Sequence, residues 1–149
     1  MSKIKIINAQ KFDELSQTEI LISGEKIVDS FGSKVEPDII IDAKGNLVLP
    51  GLVNTHTHLD KASLIDEVEN ISGTVEEARQ KMLNYKNNLT IESIKRRATK
   101  VIDESIRYGV TAIRTHVDID PIIKLRGIKA LLELKTKYKN KIDLQIVAF

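Results

Sequence analysis

The stretch Leu49-Pro50-Gly51-Leu52-Val53-Asn54-Thr55-His56-Thr57-His58-Leu59-Asp60 decides how this chain is read. Pro50-Gly51 closes one apolar run and opens another, which reads as a β-strand. Side chains two apart on a strand share a face. His56 and His58 are therefore expected to point the same way, with Thr55 and Thr57 opposite, and the two imidazoles can grip one cation. Neutral imidazole suits zinc, iron, copper or nickel. Asp60 follows where a ligand histidine would want a hydrogen-bond acceptor, so it is a candidate to orient that ring or line a pocket. His116 is the remaining histidine. It reads either as a pocket residue or as a structural histidine satisfied by Asp118 or a backbone carbonyl. Lys61 reads as a loop charge or as an ammonium holding a substrate oxygen.

Working outward toward the N-terminus, Lys3-Ile4-Lys5-Ile6, Glu19-Ile20-Leu21-Ile22 and Lys26-Ile27-Val28 alternate as short strands, with Ser23-Gly24-Glu25 as a turn. Ile39-Ile40-Ile41-Asp42 and Leu47-Val48-Leu49 follow, joined by Lys44-Gly45-Asn46. The expected result is a small antiparallel sheet over residues 1–50.

Toward the C-terminus, Lys61 to Gly73 lacks a period and reads as a loop. Thr74-Val75-Glu76-Glu77 has capping-box spacing and starts a helix to about Tyr85. Thr90 caps a longer helix to about Tyr108, with Ile91, Ile94, Ala98, Val101, Ile102 and Ile106 as its apolar stripe and Gly109 as its stop. Val110 to Val117 reads as a buried strand. Asp120-Pro121 is expected to open the next helix, with Leu125, Ile128, Leu131, Leu132 and Tyr138 buried. Asp143 to Phe149 reads as a third buried strand. Strand, helix, strand, helix, strand with crossover-length connections implies parallel pairing.

Composition narrows the class. The chain has 149 residues, 42% of them hydrophobic and 30% charged, which excludes a disordered or membrane-spanning protein. Its 23 basic and 21 acidic residues are interspersed, so nothing favours a nucleic acid partner. Without cysteine, neither a disulfide framework nor a thiolate metal site is possible. No signal-peptide pattern opens the chain, and a cytoplasmic location is expected.

Pro50-Gly51-Leu52-Val53-Asn54-Thr55-His56-Thr57-His58 resembles the first barrel strand of the amidohydrolase superfamily, and His58-Leu59-Asp60 resembles its cytosine deaminase branch. Arg114-Thr115-His116-Val117-Asp118 and Ile142-Asp143-Leu144-Gln145-Ile146-Val147-Ala148-Phe149 are similar to the second and third barrel strands. The resemblance implies an α/β fold. Residues 51–149 would be the first three strands of a (β/α)₈ TIM barrel, and residues 1–50 the preceding half of a β-sandwich. A complete barrel takes about 250 residues, so the chain is expected to be the N-terminal portion of a larger protein.

In the resembling enzymes one divalent metal, iron or zinc, activates the water that displaces the amino group of a small nitrogen heterocycle as ammonia. His56 and His58 match its first two ligands. The other ligands and the proton-shuttling glutamate would fall after Phe149, so no catalytic residue is expected within the chain and the metal is expected to be weakly bound or absent. Asp60 and His116 remain pocket or supporting residues. The resemblance leaves other readings open: an aminotriazine hydrolase, a dihydroorotase- or hydantoinase-type enzyme, or a non-catalytic remnant that folds only with a partner. The cyclic-amide enzymes typically place aspartate before His-x-His, whereas Asn54-Thr55 stands here. A homo-oligomer, or association through the open edge of the third strand, is expected.

Overall fold

The computed structural model describes residues 1–12, 16–32 and 35–149, and the chain divides into two compact units, Met1–Pro50 and Gly51–Phe149. The first is a sheet of short strands: β1 (Lys3–Lys11), β2 (Gln17–Ser23), β3 (Lys26–Val28), β4 (Ile39–Asp42) and β5 (Leu47–Val48). β1 pairs antiparallel with β2, and β2 with β3, around a turn in which Gly24 takes a left-handed backbone.

The sheet is mixed rather than antiparallel throughout. β4 and β5 both run parallel to β1 along its other edge, Ile4 opposite Ile39 and Gln10 opposite Leu47. The physical reason lies at residues 42–46. Lys44 and Gly45 both have positive φ, but the turn does not reverse the chain. It steps around a bulge in β1 at Asn8, whose φ is +54°, with Gly45 N donating to Asn8 O and Asn8 Nδ2 donating to Asp42 Oδ1. β4 and β5 are thus one interrupted strand.

In the second unit, β6 (Leu52–Thr57), β7 (Val110–Val117) and β8 (Asp143–Ala148) form a parallel sheet in that order. The helices are α1 (Val75–Tyr85), α2 (Ile91–Arg107) and α3 (Arg126–Tyr138). Ile113 and Val117 of β7 and Leu144 of β8 join Ala98 and Ile102 of α2 and Leu131, Leu134 and Tyr138 of α3 in the main core. Only one face of the sheet is covered in this way. Leu52 and Val53 of β6 are more than half exposed, so β6 is not the buried strand that β7 is.

α2 follows its apolar stripe and carries a full reciprocal cap. Thr90 Oγ1 accepts from Ser93 N, and Ser93 Oγ accepts from Thr90 N. α1 is capped differently from its sequence pattern. Thr74 Oγ1 accepts from Glu77 N, but the Glu77 carboxylate accepts from Ile71 and Ser72 N instead of returning to Thr74.

α3 begins five residues later than Asp120-Pro121 suggests. Asp120 Oδ1 accepts from Ile122 and Ile123 N, capping a single turn, and Lys124 then takes a left-handed φ of +54° that breaks the helical series. The helix restarts at Arg126 with a different face inward. Gly127, Ala130, Leu131, Leu134 and Tyr138 are buried, Ile128 packs at the core's edge, and Leu125 and Leu132 are half exposed. Among the described residues no helix is long and apolar enough to cross a membrane.

Candidate metal centre

β6 does not alternate regularly. Asn54 pairs with Ile113 and Thr57 with Thr115, so three steps along β6 match two along β7. This bulge re-aims the side chains around His56. Thr57 stays opposite Thr115, which is wholly buried among the helices. Thr55 does not face away from the histidines as expected. With Val53, Arg114 and Gln145 it lines a cleft of roughly 400 Å³, and Arg114 shares a face of β7 with His116.

Beyond the bulge the chain's three histidines converge at the carboxyl ends of β6 and β7. The rings of His56 and His116 stack 4.3 Å apart, 26° from parallel. His58 stands edge-on to His56 at 5.3 Å and lies 5.9 Å from His116. Phe149 closes one side, its ring 5.7 Å from His58 and 6.2 Å from His116. Nδ1 of His58 and Nδ1 of His116 are both buried without a hydrogen-bond partner. Burial, then the neighbouring His56, His58 and Arg114, lower the pKa of His116. The imidazole is thereby kept neutral, the form in which a ring nitrogen can donate a lone pair to a metal.

Asp60 is wholly buried, in a short 3₁₀ turn, Leu59–Lys61. Its Oδ2 accepts from Asp118 N at 3.1 Å, tying the end of β6 to the end of β7, while Oδ1 has no partner. Burial pushes its carboxyl upward, against the Asp118 amide and the Lys61 charge. It is neither a solvated carboxylate nor hydrogen-bonded to a histidine. Gly127 of α3 makes room for it: a Cβ there would stand 2.7 Å from Val117 Cγ1 and 3.4 Å from Asp60 Cβ.

The Asp118 carboxylate is engaged by two lysines, Lys61 at 2.7 Å and Lys86 at 3.0 Å, and so does not serve His116. Lys86 also pairs with Asp120. These contacts outweigh the effect of burial and leave the Asp118 pKa below its usual value. Arg114 Nε donates to Gln145 Oε1 at 2.6 Å.

Reading the sequence missed two groups here, Lys86 and Arg97. Arg97 had a signal: it interrupts the apolar stripe of α2 between Ile94 and Ala98, a position where a charge needs a reason. Lys86 had none, because its partners lie more than thirty residues away.

The donor chemistry suits an imidazole-preferring divalent metal: of the two proposed ligands, His58 has a buried ring nitrogen, Nδ1, without a hydrogen-bond partner. Two ligands from β6 are only part of a shell. Among the described residues no group of three or more histidine, cysteine, aspartate or glutamate side chains is arranged to hold an ion.

The model of the Amidohydrolase family matches residues 40–133. N-isopropylammelide isopropyl amidohydrolase of Pseudomonas sp. (strain ADP) is 36% identical over 97% of this chain and 37% of its own length. The crystal structure of 5-methylcytosine deaminase from Klebsiella pneumoniae liganded with 5-fluorocytosine superposes with a TM-score of 0.82 at 35% identity, over 97% of this chain and 36% of that one. That of an atrazine chlorohydrolase from Arthrobacter aurescens TC1 complexed with zinc superposes over 97% and 35% of the two chains with a TM-score of 0.71. At 24% identity it speaks for the fold alone. The chain thus spans a little over a third of the length of these relatives. By its family match and its similarity to these proteins, the chain belongs to the amidohydrolase family.

Proposed function

We propose that this chain supplies the N-terminal part of a metal-dependent hydrolase that deaminates cytosine or a closely related amino-substituted nitrogen heterocycle. Residues 51–149 would be the first three strands of its (β/α) barrel and residues 1–50 half of the accompanying β-sandwich. The observation that carries this reading is the convergence of His56 and His58 with His116 at the carboxyl ends of parallel strands, the end at which barrel enzymes place their chemistry.

His56 and His58 would hold one divalent ion, zinc or iron. Such an ion supplies the Lewis acidity that activates water at neutral pH. The chain's own residues do the rest of the local work. His116, kept neutral, stacks on His56 and limits its rotation; the Phe149 ring walls the cluster; and the Asp60–Asp118 link fixes the distance between the two strand ends. The proton-handling groups would come from outside these residues.

A second reading, an aminotriazine hydrolase, has its own support in the 36% identity to the N-isopropylammelide enzyme, almost equal to the 35% identity to 5-methylcytosine deaminase. Two measurements test the proposal. Titrating Co²⁺ into the chain should give weak binding that His56→Ala and His58→Ala each abolish; retention of binding in both variants would sink the assignment. Reading the gene past the Phe149 codon should reveal a strand-borne histidine, a glutamate and an aspartate, and the complete product should release ammonia from cytosine. Preference for an alkylaminotriazine instead would establish the second reading.

A further inference from the structure

Arg97 is 4% exposed, and among the described residues it forms no ion pair. Its guanidinium is satisfied by main-chain carbonyls. Nη2 donates to Asp60 O, Nε to Ala62 O and Nη1 to Ser93 O, each at 3.1 Å. The last is one turn back on its own helix, which anchors the side chain. The first two belong to the turn that follows His58.

A buried cation without a carboxylate is costly, and burial pulls the Arg97 pKa below its ordinary value. For stability alone an apolar residue on this stripe would serve as well or better. What only a guanidinium offers is a rigid fork that holds two carbonyls two residues apart from a fixed anchor. The link continues from there. Asp60, held through its carbonyl, presents Oδ2 to Asp118 N, and Leu59 N donates to Thr115 Oγ1 at 3.0 Å. One side chain on α2 thereby holds the turn after His58, which itself bonds Thr115 and Asp118 on either side of His116.

We propose that Arg97 is a positioning residue for the histidine cluster: by fixing the turn Leu59–Ala62 it sets where His58 stands against His56 and His116. As a statement about metal binding this rests on His56 and His58 being ligands; as a statement about the turn it does not.

The test compares Arg97→Lys, which keeps the charge but loses the fork, and Arg97→Met, which keeps volume but loses the donors. Tyr138→Phe serves as a control that removes a core hydrogen bond to Asp103 elsewhere. In the metal-free chain, amide hydrogen exchange at Leu59 and Asp118 should accelerate at least about tenfold in both Arg97 variants relative to the Ile113 amide, and not in Tyr138→Phe. Co²⁺ affinity should fall about 10- to 100-fold in the Arg97 variants, as for other residues that orient metal ligands, and stay unchanged in the control.

Exchange at Leu59 and Asp118 that merely tracks Ile113 would overturn the proposal. So would Co²⁺ affinity equal to wild type, or unfolding of both Arg97 variants while Tyr138→Phe folds. If the wild-type chain takes up no Co²⁺, the ligand assignment fails, and the exchange measurement alone decides the role of Arg97 in the turn.

Discussion

At the scale of single residues, the site depends on close approaches that leave little slack. Gly127 is the clearest case. A methyl group there meets Val117 Cγ1 at 2.7 Å, shorter than real contacts allow, and the neighbours are β7 and the buried Asp60. Gly127→Ala is expected to destabilise by about 1–3 kcal/mol through overpacking, although alanine is the better helix former. Urea denaturation checks this, and a stabilised variant would show that β7 and α3 can separate freely. Asp120 carries part of the pH dependence on the acid side. The Lys86 ammonium, with the Ile123 and Ile122 amides, brings its carboxyl from an ordinary 3.8 to about 2. A folded-state pKa below the unfolded one means stabilisation that is complete above about pH 4 and is lost as the pH falls through about 2. Stability should therefore decline across that window, and less steeply in Asp120→Asn. Asp60 works in the opposite sense: its raised pKa contributes stability below its ordinary value that is lost as pH rises through the folded one.

At the scale of elements, the two capped helices differ in what their caps protect. α2 buries Ile94, Arg97, Ala98 and Ile102, so it cannot fray without opening the core. Thr90→Ala removes its reciprocal cap and should lower global stability by about 1 kcal/mol, visible as an earlier denaturation midpoint. α1 buries no residue. Thr74→Ala should leave the global midpoint almost unchanged and instead speed amide exchange within α1, because local opening there costs no core contacts. The elements also mark where sequence reading was sufficient. The α2 stripe and both threonine N-caps were legible because they depend on residues three and four apart. The start of α3 was not. Asp120-Pro121 has the composition of a helix start, yet the left-handed backbone at Lys124, a residue type with no preference for it, delays the helix to Arg126 and turns Leu125 and Leu132 outward.

At the scale of the whole molecule, each unit keeps open edges and uncovered apolar surface. β6 and β8 have a strand partner on one side only among the described residues, and Leu52, Val53, Ile39, Ile40 and Ile41 are all about half exposed or more. Such edges pair with other strands when they can. The 16.8 kDa chain is therefore expected to run as an oligomer in size-exclusion chromatography with light scattering. A stable monomer at micromolar concentration would count against association through these edges.

The sequence by itself determined the order of elements, the parallel sense of β6, β7 and β8, and the spacing that puts two imidazoles on one strand. All of these follow from short-range periodicity and from turn residues acting on their own neighbours. Tertiary structure alone decided the rest. The bulge in β6 that carries Thr55 to the Arg114 side arises from register against β7, and the mixed first sheet arises from a turn folded around Asn8 rather than back on itself. The stacking of His116 on His56, the sharing of Asp118 between two lysines and the burial of Arg97 under the turn after His58 bring together residues more than thirty positions apart in the chain. Contacts of that kind depend on which strands become neighbours, and no local pattern records them.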